Sequence, residues 1–299
     1  MRGSAVNQVH QVFGAIAKIG ESKHDAKNDA RELGAKTWHQ VGKNIDVYSY
    51  KTLDDYQDIS IVAFKYIKEN FNIKDITKIQ AEHINSFLES KIESNVKYST
   101  FQKYAAACEK LQVALERYTN QKYNFDLTES RELAQKVLER TDAHRAYSDP
   151  QKLINSISDK TYRVLATSQL VGGFRVHELN YLKLSQFSDN SHSLVVQGKG
   201  GKVREIELNE KIYSELKAIV INSNNQKFIF SPDAYRNELK AAAERSNQEY
   251  QGSHGLRWNF AQNLFKNLQE QGKTYEQSLF VVSHALGHNR SDITEHYLR

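Results

Sequence analysis

Cysteine is almost missing: Cys108 stands alone among 299 residues. That excludes an internal disulfide and any cysteine-rich metal site, and it fits a reducing compartment. Proline is nearly as scarce, with only Pro150 and Pro232, so few turns are strongly marked. No stretch approaches the roughly 20 apolar residues of a membrane span. The N-terminal MRGSAVNQVHQVFGAIAKIG lacks the long apolar run of a signal peptide. There is no internal repeat and no low-complexity tract. An excess of one charge is missing too: 41 Lys+Arg face 36 Asp+Glu, a formal +5. Such a balance permits a nucleic-acid partner without demonstrating one. What is present is 39% hydrophobic and 26% charged, enough to bury a core and contrary to global disorder. The length suits about two domains of roughly 150 residues.

Residues 1–46 are polar, with a charged run from Lys18 to Lys43, and read as a short helix plus a loosely held arm. Residues 47–123 read as helical throughout. Ile59, Val62, Ala63, Tyr66 and Ile67 recur at helical spacing within Leu53 to Phe71. A second helix covers Lys78 to Lys91. A third, capped by Ser99 or Thr100, carries Phe101, Tyr104, Cys108, Leu111, Leu115 and Tyr118 on one stripe. These stripes are core, with Cys108 as a small hydrophobe. Residues 124–150, ending at Asp149-Pro150, are expected to form a linker. Residues 151–299 then make a second, mixed domain. Helices are expected over Asp159–Leu170, Arg175–Leu184, from Ser231-Pro232 onward, and over His254–Leu268, Gln277–Leu286 and Ser291–Leu298. Ser193–Gln197 and Val203–Leu208 read as a hairpin with the tip Gly198-Lys199-Gly200-Gly201-Lys202.

Four groups in this second half could carry chemistry, and each alone is weak. Arg175 follows the Gly172-Gly173 break, with Glu178 one turn on. The pair reads either as a surface ion pair or as a guanidinium oriented by a carboxylate for an anion. The hairpin tip is not a P-loop, because strands flank it and no Ser or Thr follows the lysine. Lys199 and Lys202 there suit solubility, insertion into a nucleic-acid groove or delivery of a proton. His254 and Arg257, three apart, share a helix face and can converge on one anion. His284 and His288 have the spacing of a zinc pair, yet Gly287 and Asn289 to Ser291 end the helix and no third ligand is evident.

Taken in order, Arg-x-x-Glu, a hairpin lysine, His-x-x-Arg, then Leu-Gly-His with a tyrosine nine residues on, the pattern resembles the tyrosine recombinase (phage integrase) family. The resemblance covers about residues 150–299; the preceding helices are similar to that family in layout only. It implies a mainly α fold with a small sheet or hairpin in the C-terminal half: an N-terminal helical core-binding (SAM-like) domain over 47–123 and an α+β catalytic domain over 151–299. By position it implies Arg175, Lys199, His254, Arg257, His288 and the nucleophile Tyr297 as catalytic residues, with Glu178 in support. Lys199 rather than Lys202 holds the family's place, in Gly-Lys-Gly. Lys202, Arg204 and Arg290 are expected on DNA phosphates.

The chemistry such a family performs suits these residue types. Two guanidiniums offer forked donors to the nonbridging oxygens of a phosphodiester. Histidines, ordinarily titrating near neutrality, add hydrogen bonds or move protons. A phenol titrates near about 10, and a cationic pocket favours its ionised form. A lysine can protonate the departing 5′-hydroxyl. The 3′-phosphotyrosyl link keeps the energy of the broken bond, so neither ATP nor a metal or other cofactor is implied. The resemblance further implies duplex DNA sites as partners and a homotetramer on synapsed DNA, with a monomer or dimer off DNA. An accessory DNA-bending or excision factor, no membrane, and a bacterial cytoplasmic, nucleoid-associated location complete the expectation. Integration or excision of a mobile element is the expected task. Alternatives are Xer-like dimer resolution, a type IB topoisomerase, or a DNA-binding regulator that kept the fold without cleavage. Many members continue past the tyrosine with a helix that docks on a neighbouring protomer, whereas here Leu298 and Arg299 follow it.

Overall fold

A computed structural model of the chain describes residues 1–140, 144–198, 203–288 and 291–298, leaving aside the side chains of Ser291 and Asp292. It is mainly helical and divides into two units, 1–142 and 143–299. No helix among the described residues is long and apolar enough to cross a membrane.

The N-terminal unit opens with α1 (Ala5–Gly14), α2 (Lys23–Glu32) and α3 (Trp38–Asn44). Ser4, Ser22 and Thr37 cap these helices by accepting from the first-turn N–H groups. The long α4 (Tyr50–Phe71) follows, then a 3-10 turn (Ile76–Lys78), α5 (Ala81–Glu93), α6 (Tyr98–Thr119) and α7 (Thr128–Val137). Both long helices end on an asparagine in the left-handed region, Asn72 at φ 55° and Asn120 at φ 53°, the residue besides glycine that tolerates that C-terminal geometry.

Two boundaries differ from the sequence reading. The short helix expected within residues 1–46 is present as α1, but the segment is not loosely held: Val9, Val12, Phe13 and Ile16 are fully buried in the same core as Phe64, Phe87 and Phe101. Gln8 fastens α1, donating to the carbonyl of Lys74 at 2.9 Å and accepting from the N–H of Ile76 at 2.9 Å. Helices α2 and α3 close over a smaller core of Ala30, Ala35, Val41 and Ile45. Buried Lys110 holds that piece by donating to the carbonyls of Gly42 (2.7 Å) and Ile45 (2.9 Å) at the end of α3. Nor is 124–150 a linker throughout, since Phe125, Leu127, Ala134 and Leu138 complete the N-terminal core. Ala146 and Tyr147 lie in cores of the second unit.

The second unit runs through α8 (Pro150–Asn155), α9 (Lys160–Gly172) and the single turn α10 (Val176–Leu179). The expected helix from Arg175 to Leu184 stops early. Tyr181 takes φ 65°, and Leu182 turns into β1 (Leu182–Lys183), paired with Phe228 of β5 (Lys227–Phe228). Between them lie β2 (Phe187–Ser188), β3 (Ser193–Gln197) and β4 (Val203–Glu207), an antiparallel sheet in that order. The predicted hairpin is therefore present, registered with Leu194 opposite Ile206 and Val196 opposite Arg204. Helix α11 (Glu210–Ile221) was not anticipated. Helices α12 (Pro232–Arg245), α13 (Gly252–Glu270), α14 (Tyr275–Ala285) and α15 (Ser291–Leu298) follow. One core gathers α8, α9, the sheet, α11 and α12; a second gathers α13, α14 and α15 around Trp258, Val282, Leu286 and Tyr297.

Candidate active site

Helix α9 ends on Gly173 at φ +60°, a left-handed C-cap that reverses the chain and delivers Arg175 as the N-cap of α10. Glu178, one turn on, reaches back. Its Oε2 accepts from the Arg175 backbone N–H at 2.7 Å and its Oε1 from the Arg175 guanidinium at 2.8 Å. The Glu178 side chain is wholly buried, while that of Arg175 keeps 21% of its surface exposed.

Arg204 arrives from β4. Strand alternation puts it on the same buried face as Ile206, and its guanidinium donates to Glu178 Oε2 at 2.7 Å and to the Gly173 carbonyl at 3.1 Å. It also donates to the Ala285 carbonyl at the end of α14. This corrects its assignment to DNA phosphates: Arg204 is 8% exposed and its donors face inward. Arg257, from α13, is fully buried and donates to the carbonyls of Gly173 and Leu286. Arg175 also points toward the Leu286 carbonyl, at 3.4 Å. Three guanidiniums thus sit at the C-terminal ends of α9 and α14, where the helix dipole is negative. One carboxylate cannot neutralise three cations, so the cluster keeps an excess of positive charge. Among the described residues the buried Nε atoms of Arg204 and Arg257 have no acceptor.

Beside this nest lies Tyr297, on α15 and 7% exposed. Its hydroxyl is 2.6 Å from His254 Nε2. Its ring stacks on Trp258, with centroids 5.1 Å apart and planes at 29°, and lies 5.2 Å from the ring of His288. His254, Arg257 and Trp258 all come from α13. His288 follows the end of α14, and its Nδ1 is 2.9 Å from the Thr294 hydroxyl, which meets Ser283 at 2.5 Å.

The histidines do not titrate near neutrality as the sequence led one to expect. Burial, then the charges of Arg257 and Arg175, push His254 down to about 4. Burial and the same two guanidiniums, with Arg204, push His288 down to about 3. Burial and its cationic neighbours also lower Arg257, to about 10, so it stays charged at neutral pH. Burial works to raise the Glu178 pKa, but the charge of Arg204, the Arg175 N–H and the remaining donors hold it below its ordinary value.

The structure therefore gathers Arg175, Glu178, His254, Arg257, His288 and Tyr297, from elements far apart in the chain. Lys199, Lys202 and Arg290 lie outside the described residues. His284 is exposed on α14, and among the described residues no group of three His, Cys, Asp or Glu side chains could hold a metal ion. Trp258, Ser283 and Thr294 were not singled out from the sequence. The adjacency of Trp258 to Arg257 and the i,i+3 relation of Thr294 to Tyr297 were the available signals.

A mainly helical fold with two small antiparallel sheets, and a tyrosine set beside a guanidinium nest, is the arrangement of the tyrosine recombinases. The chain belongs to the phage integrase family, whose sequence profile matches residues 136–299. No curated protein sequence matches it. Solved structures share the fold. The XerH site-specific recombinase, bound to palindromic difH substrate in a post-cleavage complex, superposes with a TM-score of 0.67 at 15% identity, covering 100% of this chain and 94% of that one. The Tn1549 transposon integrase in complex with transposon right-end DNA gives 0.62 at 13% identity, covering 98% and 95%. A lambda integrase dimer bound to a COC′ core site gives 0.60 at 16% identity, covering 93% and 77%.

Proposed function

We propose that this recombinase cuts and rejoins duplex DNA at specific sites through a 3′-phosphotyrosyl intermediate on Tyr297. The observation that carries the reading is the Tyr297 hydroxyl, 2.6 Å from His254 Nε2 at the edge of a nest of three guanidiniums. A phosphodiester needs its nonbridging oxygens neutralised as negative charge grows. Arg175, the most exposed of the three, meets them first, and Arg257 turns a terminal N–H from a backbone carbonyl toward them. Tyr297 oxygen attacks phosphorus, its proton passes to His254, and the bond to the 5′-oxygen breaks. Lys199 supplies that oxygen with a proton, on the strength of the family resemblance alone. The bound phosphate also offsets the cations that depress His254, so substrate raises the basicity of the group that must accept the proton. Religation reverses the sequence.

Duplex DNA is the partner this chemistry requires, and the solved relatives bound to difH, a transposon end and a core site support it. Integration or excision of a mobile element is the task we assign, with protomers assembling as a tetramer on two synapsed sites. A nicked suicide duplex carrying the chain's own site should trap a covalent adduct. Tyr297→Phe should abolish it while leaving DNA binding intact. Wild-type protein that forms no adduct on that site would remove the reading.

A further inference from the structure

His288 is held by more than the cationic nest. Its backbone N–H donates to the carbonyl of Ser283 at 2.9 Å, closing the end of α14. Its ring nitrogen Nδ1 lies 2.9 Å from Thr294 Oγ1, and Thr294 Oγ1 lies 2.5 Å from Ser283 Oγ. Thr294 is fully buried and Ser283 is 6% exposed, so neither hydroxyl can turn to water instead. Thr294 stands one helical turn before Tyr297 on α15, so the two share a face.

The direction of this chain of hydrogen bonds follows from counting donors. Each hydroxyl has one proton to give, and a buried donor left without an acceptor costs about 1–3 kcal/mol. Among the described residues, Thr294 is the partner of the Ser283 hydroxyl. If Thr294 donated to Ser283, the Ser283 proton would have no acceptor. If Ser283 donates to Thr294, Thr294 donates to His288 Nδ1 and every hydroxyl proton is satisfied. Nδ1 is then an acceptor, and the proton of the neutral ring sits on Nε2.

We propose that Ser283 and Thr294 are positioning residues that hold His288 as the tautomer protonated at Nε2 alone, making it an uncharged hydrogen-bond donor inside the guanidinium nest. The same donor count gives His254 the opposite role. Among the described residues the Tyr297 hydroxyl has His254 Nε2 as its hydrogen-bond partner, and a phenol proton placed on that contact requires the nitrogen to be unprotonated. Two neutral histidines beside one tyrosine thus differ by tautomer: one accepts the phenol proton, the other offers a proton to a phosphate oxygen.

The role in DNA cleavage rests on the strand-transfer reading above, but the tautomer does not, and the two are tested apart. Full-length protein with 15N-labelled histidine reports the tautomer through its imidazole nitrogen shifts, without DNA. At pH 7, His288 should show an unprotonated Nδ1 and a protonated Nε2. Thr294→Ser should keep that signature, and Thr294→Val, similar in shape but without a hydroxyl, should lose it. Should the valine variant fail to fold, Ser283→Ala removes the first donor and should weaken the same bias. A His288 protonated at Nδ1 in wild type, or a signature unchanged by both variants, would overturn the inference. On the suicide duplex, Thr294→Val should slow adduct formation roughly tenfold to a hundredfold, as one misdirected hydrogen bond does, with DNA affinity unchanged and Thr294→Ser restoring the rate. The expected tautomer together with a wild type that forms no adduct would support the inference and remove the strand-transfer reading instead.

Discussion

A histidine ordinarily titrates at about 6.5; His254 and His288 do not, because burial and several guanidiniums act together. With pKa values pushed to about 4 and about 3, both rings are neutral across the physiological range. The second-order rate constant for adduct formation, which reports groups in the free enzyme, should therefore hold down to about pH 5. Its acid limb should centre near 4 rather than 6.5. A rapid-quench profile with an inflection near 6.5 would contradict the desolvated geometry. Stability carries the same sign. Between about 6.5 and the depressed values, the unfolded chain binds protons that the folded chain does not, so stability falls as pH falls through that window. Glu178, lowered from 4.5, adds to the loss at still lower pH. None of this was readable from composition, since the depressing cations come from the N-cap of α10, from β4 and from α13 and converge only in the fold.

At the scale of elements, the turn between α9 and α10 decides where the guanidiniums go. Gly173 combines φ +60° with a neighbour that leaves no room, for a Cβ there would overlap the Phe260 ring. Its carbonyl also receives both Arg204 and Arg257. Gly173→Ala should cost about 2–4 kcal/mol, from left-handed strain and overpacking together. A lower urea midpoint with an unchanged slope would check it, and adduct formation should fall with it. This break was legible as Gly172-Gly173, and the hairpin as alternating Val203, Glu205 and Glu207 against Arg204 and Ile206. That alternation already marked Arg204 as inward-facing, yet its charge suggested a phosphate contact, because the buried Glu178 that pairs with it comes from another element. Helix α1 was partly hidden for a related reason. Val9, Val12, Phe13 and Ile16 have helical spacing, but the polar residues after them gave the rest of the segment the look of a loosely held arm.

Over the whole molecule, the two units each carry their own core, and the division falls before Asp149-Pro150 rather than at it. That dipeptide is the N-cap and first position of α8, a helix start that in sequence looks the same as a boundary. The near balance of charge is also a whole-molecule property. Residues 1–140 hold 21 basic and 19 acidic side chains, leaving 20 and 17 beyond, so neither half is a general polycation. Affinity for DNA must then come from placed cations meeting individual phosphates, and each such contact releases a counterion. If the chain engages about 6–10 phosphates, raising salt from 50 to 200 mM should weaken binding of the specific duplex by roughly 10³ to 10⁵. Fluorescence anisotropy over that range measures it. Arg175→Ala should lower the slope of log Kd against log salt by about one, the share of a single phosphate contact. A Kd indifferent to salt, or a slope unchanged by Arg175→Ala, would mean that the guanidinium nest does not meet the DNA backbone.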